Sequence, residues 1–210
     1  MKNKTLKKLS ESTWYERLPK VELHLHLEGA IPLDALWQLV RKYGTDPSVT
    51  DIKALQRKFQ YKDFPHFIET WIWKNQILRE YEDFAFIAEA VAKDLAHQKI
   101  HYAEMFYTPS DFFRYNLEIQ KLTEAICTGL GRVKQVEIAL ILDFCRDRGP
   151  ENAAKNLSEV NEVKQLGVIG VGIGGSEQAY PPEPFVAIYE KARQLGFHTT
   201  SHAGRSRRPG

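Results

Sequence analysis

The sequence has few of the features that mark several large classes of protein. Its 210 residues contain only two cysteines, Cys127 and Cys145, which excludes a disulfide framework and a cysteine-rich metal site. No stretch approaches the ~18 apolar residues of a membrane span, and no apolar run follows the basic N-terminus as it would in a signal peptide. Internal repeats and low-complexity tracts are also missing. We therefore expect a globular protein of the cytoplasm, with no membrane partner.

The charge balance excludes further partners. The net charge is only +2, and three of the last six residues are arginines, Arg205, Arg207 and Arg208. Because the rest of the chain is close to neutral, nucleic acids and other polyanions are not expected to bind. The apolar share of 43% and the charged share of 27% are those of an ordinary globular protein with enough residues to bury a core.

What the sequence does contain is a regular alternation of strand and helix patterns. Five strands are predicted, at residues 21–27, 100–107, 136–144, 168–173 and 197–202. Helices are predicted at residues 33–43, 83–97, 117–133, 151–166 and 184–195, and helical patterning dominates residues 52–98. This order predicts a parallel sheet with helical crossovers and an enlarged helical insert after the first strand. Both a doubly wound sheet and a (β/α)₈ barrel satisfy it, although five strands are too few to close a barrel.

Three histidines are candidate metal ligands. His24 and His26 lie two residues apart in the alternating segment VELHLHL, so both side chains leave the same face of the predicted strand. Their ring nitrogens can then converge on one ion, as zinc requires of imidazole ligands. His202 ends the fifth predicted strand and supplies a third imidazole at the same edge of the sheet. Half-exposed strand histidines and a buried core histidine are the structural alternatives.

Two other features have both a structural and a functional interpretation. Gly174 and Gly175 end the fourth strand, either as a turn that needs a positive φ or as a place where backbone approaches a ligand. Helical spacing also predicts an apolar stripe, which is a core stripe by default and a lid over a flat heterocycle in the functional interpretation. The stripe consists of Phe64, Phe67, Ile68 and Trp71.

Four segments in collinear order resemble the adenosine deaminase family. Residues 18–30 read LPKVELHLHLEGA, residues 102–109 read YAEMFYTP, residues 168–177 read VIGVGIGGSE and residues 201–204 read SHAG. The first resembles the opening strand of the family, and the others resemble its second and fourth strands and its His-Ala-Gly-Glu segment. The resemblance runs from about residue 14 to residue 204.

The resemblance implies a (β/α)₈ barrel, present here in part, with one zinc ion at the carboxyl ends of its strands. It implies that His24, His26 and His202 bind zinc, and that Glu28 meets the ribose 5′-hydroxyl. It further implies that the backbone N–H of Gly175 meets N3 of the purine and that the apolar stripe covers the base. The implied reaction is hydrolytic deamination of adenosine and 2′-deoxyadenosine to inosine and ammonia.

Other functions remain open at the level of sequence. Within the same enzyme class, the alternatives are deamination of adenine or of an N6-modified adenosine monophosphate, the latter disfavoured because Glu28 would repel a phosphate. A non-catalytic zinc- or purine-binding fragment is the alternative from a different class. Gly172, where many relatives carry aspartate, and Ser176, where an acid is common, leave the preference for base and sugar undecided.

The largest departure from the family lies at the C-terminal end of the sequence. Arg205 stands where the resemblance places the catalytic glutamate, and an arginine cannot donate a proton at neutral pH. Inserting one base into one possible DNA sequence that encodes Glu-Ala-Ala-Gly-Pro produces a sequence that encodes the observed RSRRPG. We therefore interpret residues 205–210 as a frameshifted tail. Reading the DNA after codon 204 in all three frames tests this hypothesis.

The sequence therefore divides into three parts. Residues 1–13 form a polar extension, residues 14–204 the N-terminal part of a deaminase barrel, and residues 205–210 the aberrant tail. Because five strands cannot close an eight-stranded barrel, both sheet edges would stay unpaired. We expect the polypeptide as written to be poorly soluble and inactive, with no catalytic acid of its own.

Overall fold

A computed structural model describes residues 18–44 and 46–203. The strands are β1 Lys20–His26, β2 Ile100–Tyr107, β3 Glu137–Cys145, β4 Val168–Gly174 and β5 His198–Thr199. The α-helices are α1 Leu33–Tyr43, α2 Ile52–Lys58, α3 Phe64–Asn75, α4 Tyr81–His97, α5 Ile119–Leu130, α6 Gly149–Asn161 and α7 Val186–Gln194. The predicted polar extension, Arg205 and the predicted tail lie outside the described residues.

The sheet distinguishes between the two architectures that the alternation left open. Its five strands are all parallel and are ordered β1-β2-β3-β4-β5, as they occur in the sequence. A doubly wound sheet reverses its strand order at a switch point, and this sheet has no reversal among the described residues. Consecutive parallel strands are the arrangement of a (β/α) barrel. The predicted partial barrel with a helical insert after β1 is confirmed, the insert being α1 to α4.

Local signals place most of the helix ends. α1 begins directly after Pro32 and ends at Gly44, whose φ of 58° is the left-handed conformation that glycine adopts without strain. The side chains of Asp51 and Asp63 cap α2 and α3 by accepting the N–H groups of Ala54 and His66. The predicted range of α1 is thus confirmed residue by residue, and so is that of β2.

Four predicted elements were too long, and two of them, the helices expected at 117–133 and 184–195, are shorter at both ends. The strand expected at 197–202 is limited to His198–Thr199. In the part of the chain that the structure describes, β5 pairs with β4 alone, and beyond it single hydrogen bonds run from Thr200 to Val171 and from His202 to Ile173. The helix expected at 151–166 ends at Asn161, and a separate 3₁₀ turn follows at Lys164–Leu166. None of these changes moves His202 away from the carboxyl edge of the sheet.

The core lies between the sheet and the helices that cover it. Leu140 and Leu142 on one face of β3 and Ile141 on the other are all buried, as expected of a strand covered on both faces. At the contact of α4 with α5, a Cβ on Gly129 would overlap the carbonyl oxygen of Ala85, so glycine permits this close approach. No helix in the described ranges is long and apolar enough to cross a membrane.

Candidate metal centre

The two histidines of β1 lie side by side near the carboxyl end of the strand. His24 is exposed and His26 is half-buried, and the centroids of their rings are 5.2 Å apart. Residues two apart on a strand point to the same side of the sheet. The sequence of β1 alone therefore brings this pair together, as the spacing predicts.

His202 joins them from the other edge of the sheet. Its Nε2 atom lies 2.9 Å from Nε2 of His26 and 3.2 Å from Nε2 of His24. The ligand atoms of all three residues lie within 4.8 Å of one another. Tetrahedral zinc binds imidazole nitrogen at about 2.0–2.1 Å, which puts two such nitrogens roughly 3.3 Å apart. The three side chains therefore fit one divalent ion.

An aromatic ring supports the two β1 histidines. The ring centroid of Phe106, on β2, lies 4.4 Å from that of His24 and 5.1 Å from that of His26. The Phe106 and His26 rings are stacked, with an angle of 26° between their planes. An apolar ring at this place holds the imidazoles without competing for the ion, because it offers no ligand atom.

Glu28 is a buried carboxylate two residues beyond the second histidine. It lies in the 3₁₀ turn Leu27–Gly29, and its Oε1 atom accepts the N–H of Thr108 at 2.9 Å. Among the described residues, its buried Oε2 atom has no hydrogen-bond partner. Burial raises the pKa of the carboxyl, because the charged form loses its hydration. The site thus contains an acceptor that a ligand donor can satisfy.

A buried lysine and a buried aspartate connect α3 to the strand ends. The ammonium of Lys74 donates to the carbonyl oxygen of Glu28 and lies 3.7 Å from the centroid of the Trp71 ring. Burial lowers the pKa of this ammonium, although the carboxylates of Glu28 and Asp111 oppose the shift. Asp111 accepts Nε1 of Trp71 at 3.3 Å and Nδ2 of Asn75 at 2.8 Å. These bonds fix the position of α3 over the site.

The apolar stripe of α3 extends outward from the histidines. None of Phe64, Phe67, Ile68 and Trp71 belongs to the hydrophobic core of the described residues, which favours the lid interpretation over the core stripe. The Trp71 ring lies 6.1 Å from the His26 ring, and the Phe67 ring lies 6.1 Å from the Trp71 ring. Phe64 stacks on Phe67 and is 57% exposed.

Gly175 has the backbone conformation that the sequence predicted. Its φ is 102°, and a Cβ there would overlap the carboxylate of Asp147. That carboxylate accepts the N–H of Ser176 at 2.9 Å. Glycine is therefore required by the turn itself, and the approach of the Gly175 backbone to a purine stays a prediction.

A cavity adjoins His202, and no residue of α3 is among those that line it. Its volume is about 770 Å³, and Ile173, Phe185 and Tyr189 are among the residues that line it. Cavities of this size are typical of small-molecule sites.

Three buried charged residues near the histidines, Lys74, Asp143 and Arg146, were missed by the sequence analysis, and so was the half-buried Asp111. Lys74 directly follows Trp73 and Arg146 lies in the charged run Arg-Asp-Arg at 146–148, and neither local sequence marks its charge as buried. Asp143 could have been identified from the sequence, because it is the single charged residue in the apolar segment IALILDF at 138–144.

A consecutively ordered parallel sheet with an imidazole cluster at its carboxyl edge defines a metal-site protein of the (β/α)-barrel class. The model of the adenosine deaminase family matches residues 19–209. This chain belongs to the adenosine deaminase family.

Curated relatives and solved structures agree with this assignment. Adenine deaminase of Streptomyces coelicolor is 30% identical over 190 residues, which are 89% of this chain and 56% of the relative. A zinc-bound amidohydrolase structure from Burkholderia ambifaria is 28% identical with a TM-score of 0.81, covering 91% of this chain and 53% of that one.

A more distant structure shows the fold alone. The N6-methyl-AMP deaminase of Arabidopsis thaliana is 23% identical with a TM-score of 0.80, covering 93% of this chain and 60% of that one. The chain thus spans less than two thirds of the length of each of these three proteins.

Proposed function

We propose that this chain forms the metal-binding part of a hydrolase that removes the 6-amino group of a purine as ammonia, with one zinc ion. The convergence of His24, His26 and His202 carries the proposal. It is supported by the relative named adenine deaminase and by the zinc-bound amidohydrolase.

Some residues of the chain bind the ion and others orient the substrate. Zinc, when bound, supplies a water that is acidic enough to lose its proton near neutral pH. The three imidazoles hold the ion at the carboxyl edge of the sheet, and Phe106 keeps two of them in place. Trp71 covers His26 and excludes bulk water from that side. The buried carboxylate of Glu28 orients the substrate by accepting a hydrogen bond from it.

Adenine is the substrate that we favour over the adenosine and 2′-deoxyadenosine of the sequence-based prediction. The Streptomyces coelicolor relative is named for adenine. A free base carries a ring N–H at the position where a nucleoside carries its sugar, and Oε2 of Glu28 is a buried acceptor for such a donor. The lid formed by Trp71 and Phe67 suits a flat, uncharged ring.

Two other functions rank lower. An N6-modified AMP would bring its phosphate toward the Glu28 carboxylate, where the nearby Lys74 ammonium would offset part of the repulsion. A non-catalytic zinc- or purine-binding role is supported by Arg205 in place of the expected glutamate. Metal content and activity separate these functions from the main proposal.

The test begins with metal content. We expect the purified chain to bind one zinc ion, and His26→Gln to lose it, because one of the three converging ligands is removed. His101→Gln is the matched control. His101 is exposed and lies at the amino end of β2, whereas the metal centre lies at the carboxyl edge of the sheet. Zinc is measured by atomic absorption after exchange against a chelator. A His26→Gln chain that retains one zinc ion refutes the metal centre.

Activity is then measured with adenine, adenosine and N6-methyl-AMP, as ammonia released. We expect the chain as written to release none. With the reading frame restored to glutamate at position 205 and the following strands present, we expect adenine to be the best substrate, with zinc required. Preference for adenosine supports the original sequence-based prediction instead, and zinc binding without activity in the restored protein supports the non-catalytic role.

A further inference from the structure

Asp143 is a buried carboxylate for which the proposed reaction gives no role. It lies in the apolar strand β3, and its relative exposure is 3%. An ionised carboxylate buried in such a strand is costly unless a nearby positive charge or a bound ion compensates it. The residues around Asp143 therefore indicate which positive group or ion compensates its carboxylate.

The strand next to Asp143 is shaped to admit its side chain. Asp143 pairs directly with Gly172 of β4 in the parallel register. A Cβ on Gly172 would lie 2.7 Å from Oδ1 of Asp143 and 2.9 Å from the Phe106 ring. Glycine is thus required at 172 because the carboxylate and the ring that supports the histidines already fill the space beside it.

The same carboxylate extends toward His202. A Cβ on Gly174 would lie 2.8 Å from Oδ2 of Asp143 and 3.5 Å from Cδ2 of His202. Asp143 and the His202 ring therefore meet on the same side of Gly174. Two glycines of β4 leave room for one acid, and that acid lies between the Phe106 ring and the third imidazole.

A second residue near the end of β3 fixes the main chain of the same histidine. Nη2 of Arg146 donates to the carbonyl oxygen of His202 at 2.8 Å. The charges of Asp143 and Arg146 both act on Tyr189, whose pKa is raised chiefly by burial. The backbone of His202 is thus held by Arg146, and its ring lies beside Asp143.

We propose that Asp143 is a positioning residue of the metal centre: its carboxylate holds the His202 imidazole toward the ion and supplies negative charge beneath a site of three neutral ligands. Carboxylates that accept the second ring N–H of a ligand histidine commonly orient it, and removing one costs about 10–100-fold in metal affinity. The inference rests on the proposed metal site and adds a residue that touches neither the substrate nor the ion.

The test compares two kinds of variant in the full chain: one that removes the acid at position 143 and one that moves it to β4. We expect Asp143→Asn to weaken zinc binding about 10–100-fold, measured by competition with a chromophoric chelator. It should also change the visible absorption spectrum of the cobalt-substituted protein, because the geometry at the ion shifts. Glu137→Gln is the matched control, since it removes one exposed acid from the same strand.

A second variant, with the acid moved to the neighbouring strand, tests the same role if Asp143→Asn fails to fold. In the double variant Asp143→Gly with Gly172→Asp, the carboxylate enters the same space from β4, and we expect most of the zinc affinity to return. Gly172→Asp alone should unfold, because two carboxylates and the Phe106 ring would share one space.

Each outcome has a distinct meaning. An Asp143→Asn chain that binds zinc as tightly as the Glu137→Gln chain, with an unchanged cobalt spectrum, overturns the positioning role and leaves the metal site standing. A folded double variant with no recovered affinity also overturns it. If the unmodified chain binds no zinc, the proposed function itself fails and the role of Asp143 fails with it.

Discussion

Asp46 fixes the turn between α1 and α2 through contacts that favour its ionised form. It accepts the N–H and the hydroxyl of Ser48 at 2.9 and 2.5 Å, and Lys58 lies 2.9 Å away. Hydrogen bonds from Ser48 and Lys58 hold its pKa at about 2, below the usual 3.8. A carboxyl with a lowered pKa stabilises the fold above its unfolded pKa and loses that contribution as the pH falls.

We therefore expect Asp46→Asn to lower the free energy of unfolding above pH 4 by about 1 kcal/mol, because solvent screens these surface contacts. The difference between the two proteins should shrink between pH 4 and pH 2, where the native carboxyl takes up its proton. Urea unfolding at several pH values measures it. Ser48→Ala removes only the hydroxyl donor and should produce a smaller loss. A difference that stays constant down to pH 2 contradicts the assignment.

Single residues were predictable where a local rule applies. The pair His24 and His26 follows from strand alternation, and Gly175 from the need for a positive φ. Lys74 was not predictable, because its partner Glu28 lies 46 residues away and no pattern in α3 marks it. Contacts between distant parts of the chain are set by packing, which local spacing does not report.

At the scale of elements, α3 is the segment whose placement depends most on polar contacts. Asp111 accepts hydrogen bonds from both Trp71 and Asn75, and Lys74 donates to Glu28. Because its apolar stripe lies outside the core, these bonds contribute much of what holds the helix over the histidines.

We expect Asp111→Ala to cost about 1–3 kcal/mol in the free energy of unfolding, since two donors lose their acceptor. The backbone amides of α3 should exchange hydrogen faster, while those of α5 should not. Asp111→Asn keeps a side-chain oxygen as acceptor and is the matched control, expected to lie close to the unmodified chain. Unchanged exchange in α3 after Asp111→Ala would mean that apolar packing alone holds the helix.

The elements themselves were largely predictable, with exceptions at the sheet edge. The ranges of α1 and β2 are those expected, because Pro32 and Gly44 bracket the helix and Pro109 follows the strand closely. β5 proved shorter, since its length depends on pairing with β4 as well as on its own residues.

At the scale of the whole molecule, the three proposed ligands connect the two edges of the described sheet. His24 and His26 lie on β1, His202 follows β5, and these strands are first and last in the sheet order. Alternation of strands and helices could not predict this, because it does not fix strand order. An ion bound there links parts of the fold that share no backbone pairing.

Zinc should therefore stabilise the whole molecule. At a free concentration of 100 times Kd, we expect about 2.7 kcal/mol of added stability, which raises Tm by roughly 5–10 °C for a chain of this size. Calorimetry with zinc and then with excess chelator measures the shift. His202→Gln should abolish it, and His101→Gln should not. A shift that persists in His202→Gln would place the ion elsewhere.

The separation of these ligands along the chain also has a consequence for synthesis. His26 and His202 are 176 residues apart. At about 5–20 residues per second, a ribosome makes the first roughly 10–35 s before the second. During that interval the nascent chain carries two of the three imidazoles, which can bind an ion only weakly. Tight metal uptake must therefore wait until His202 has been synthesised, so a loaded centre marks a chain that has been made at least as far as the segment after β5.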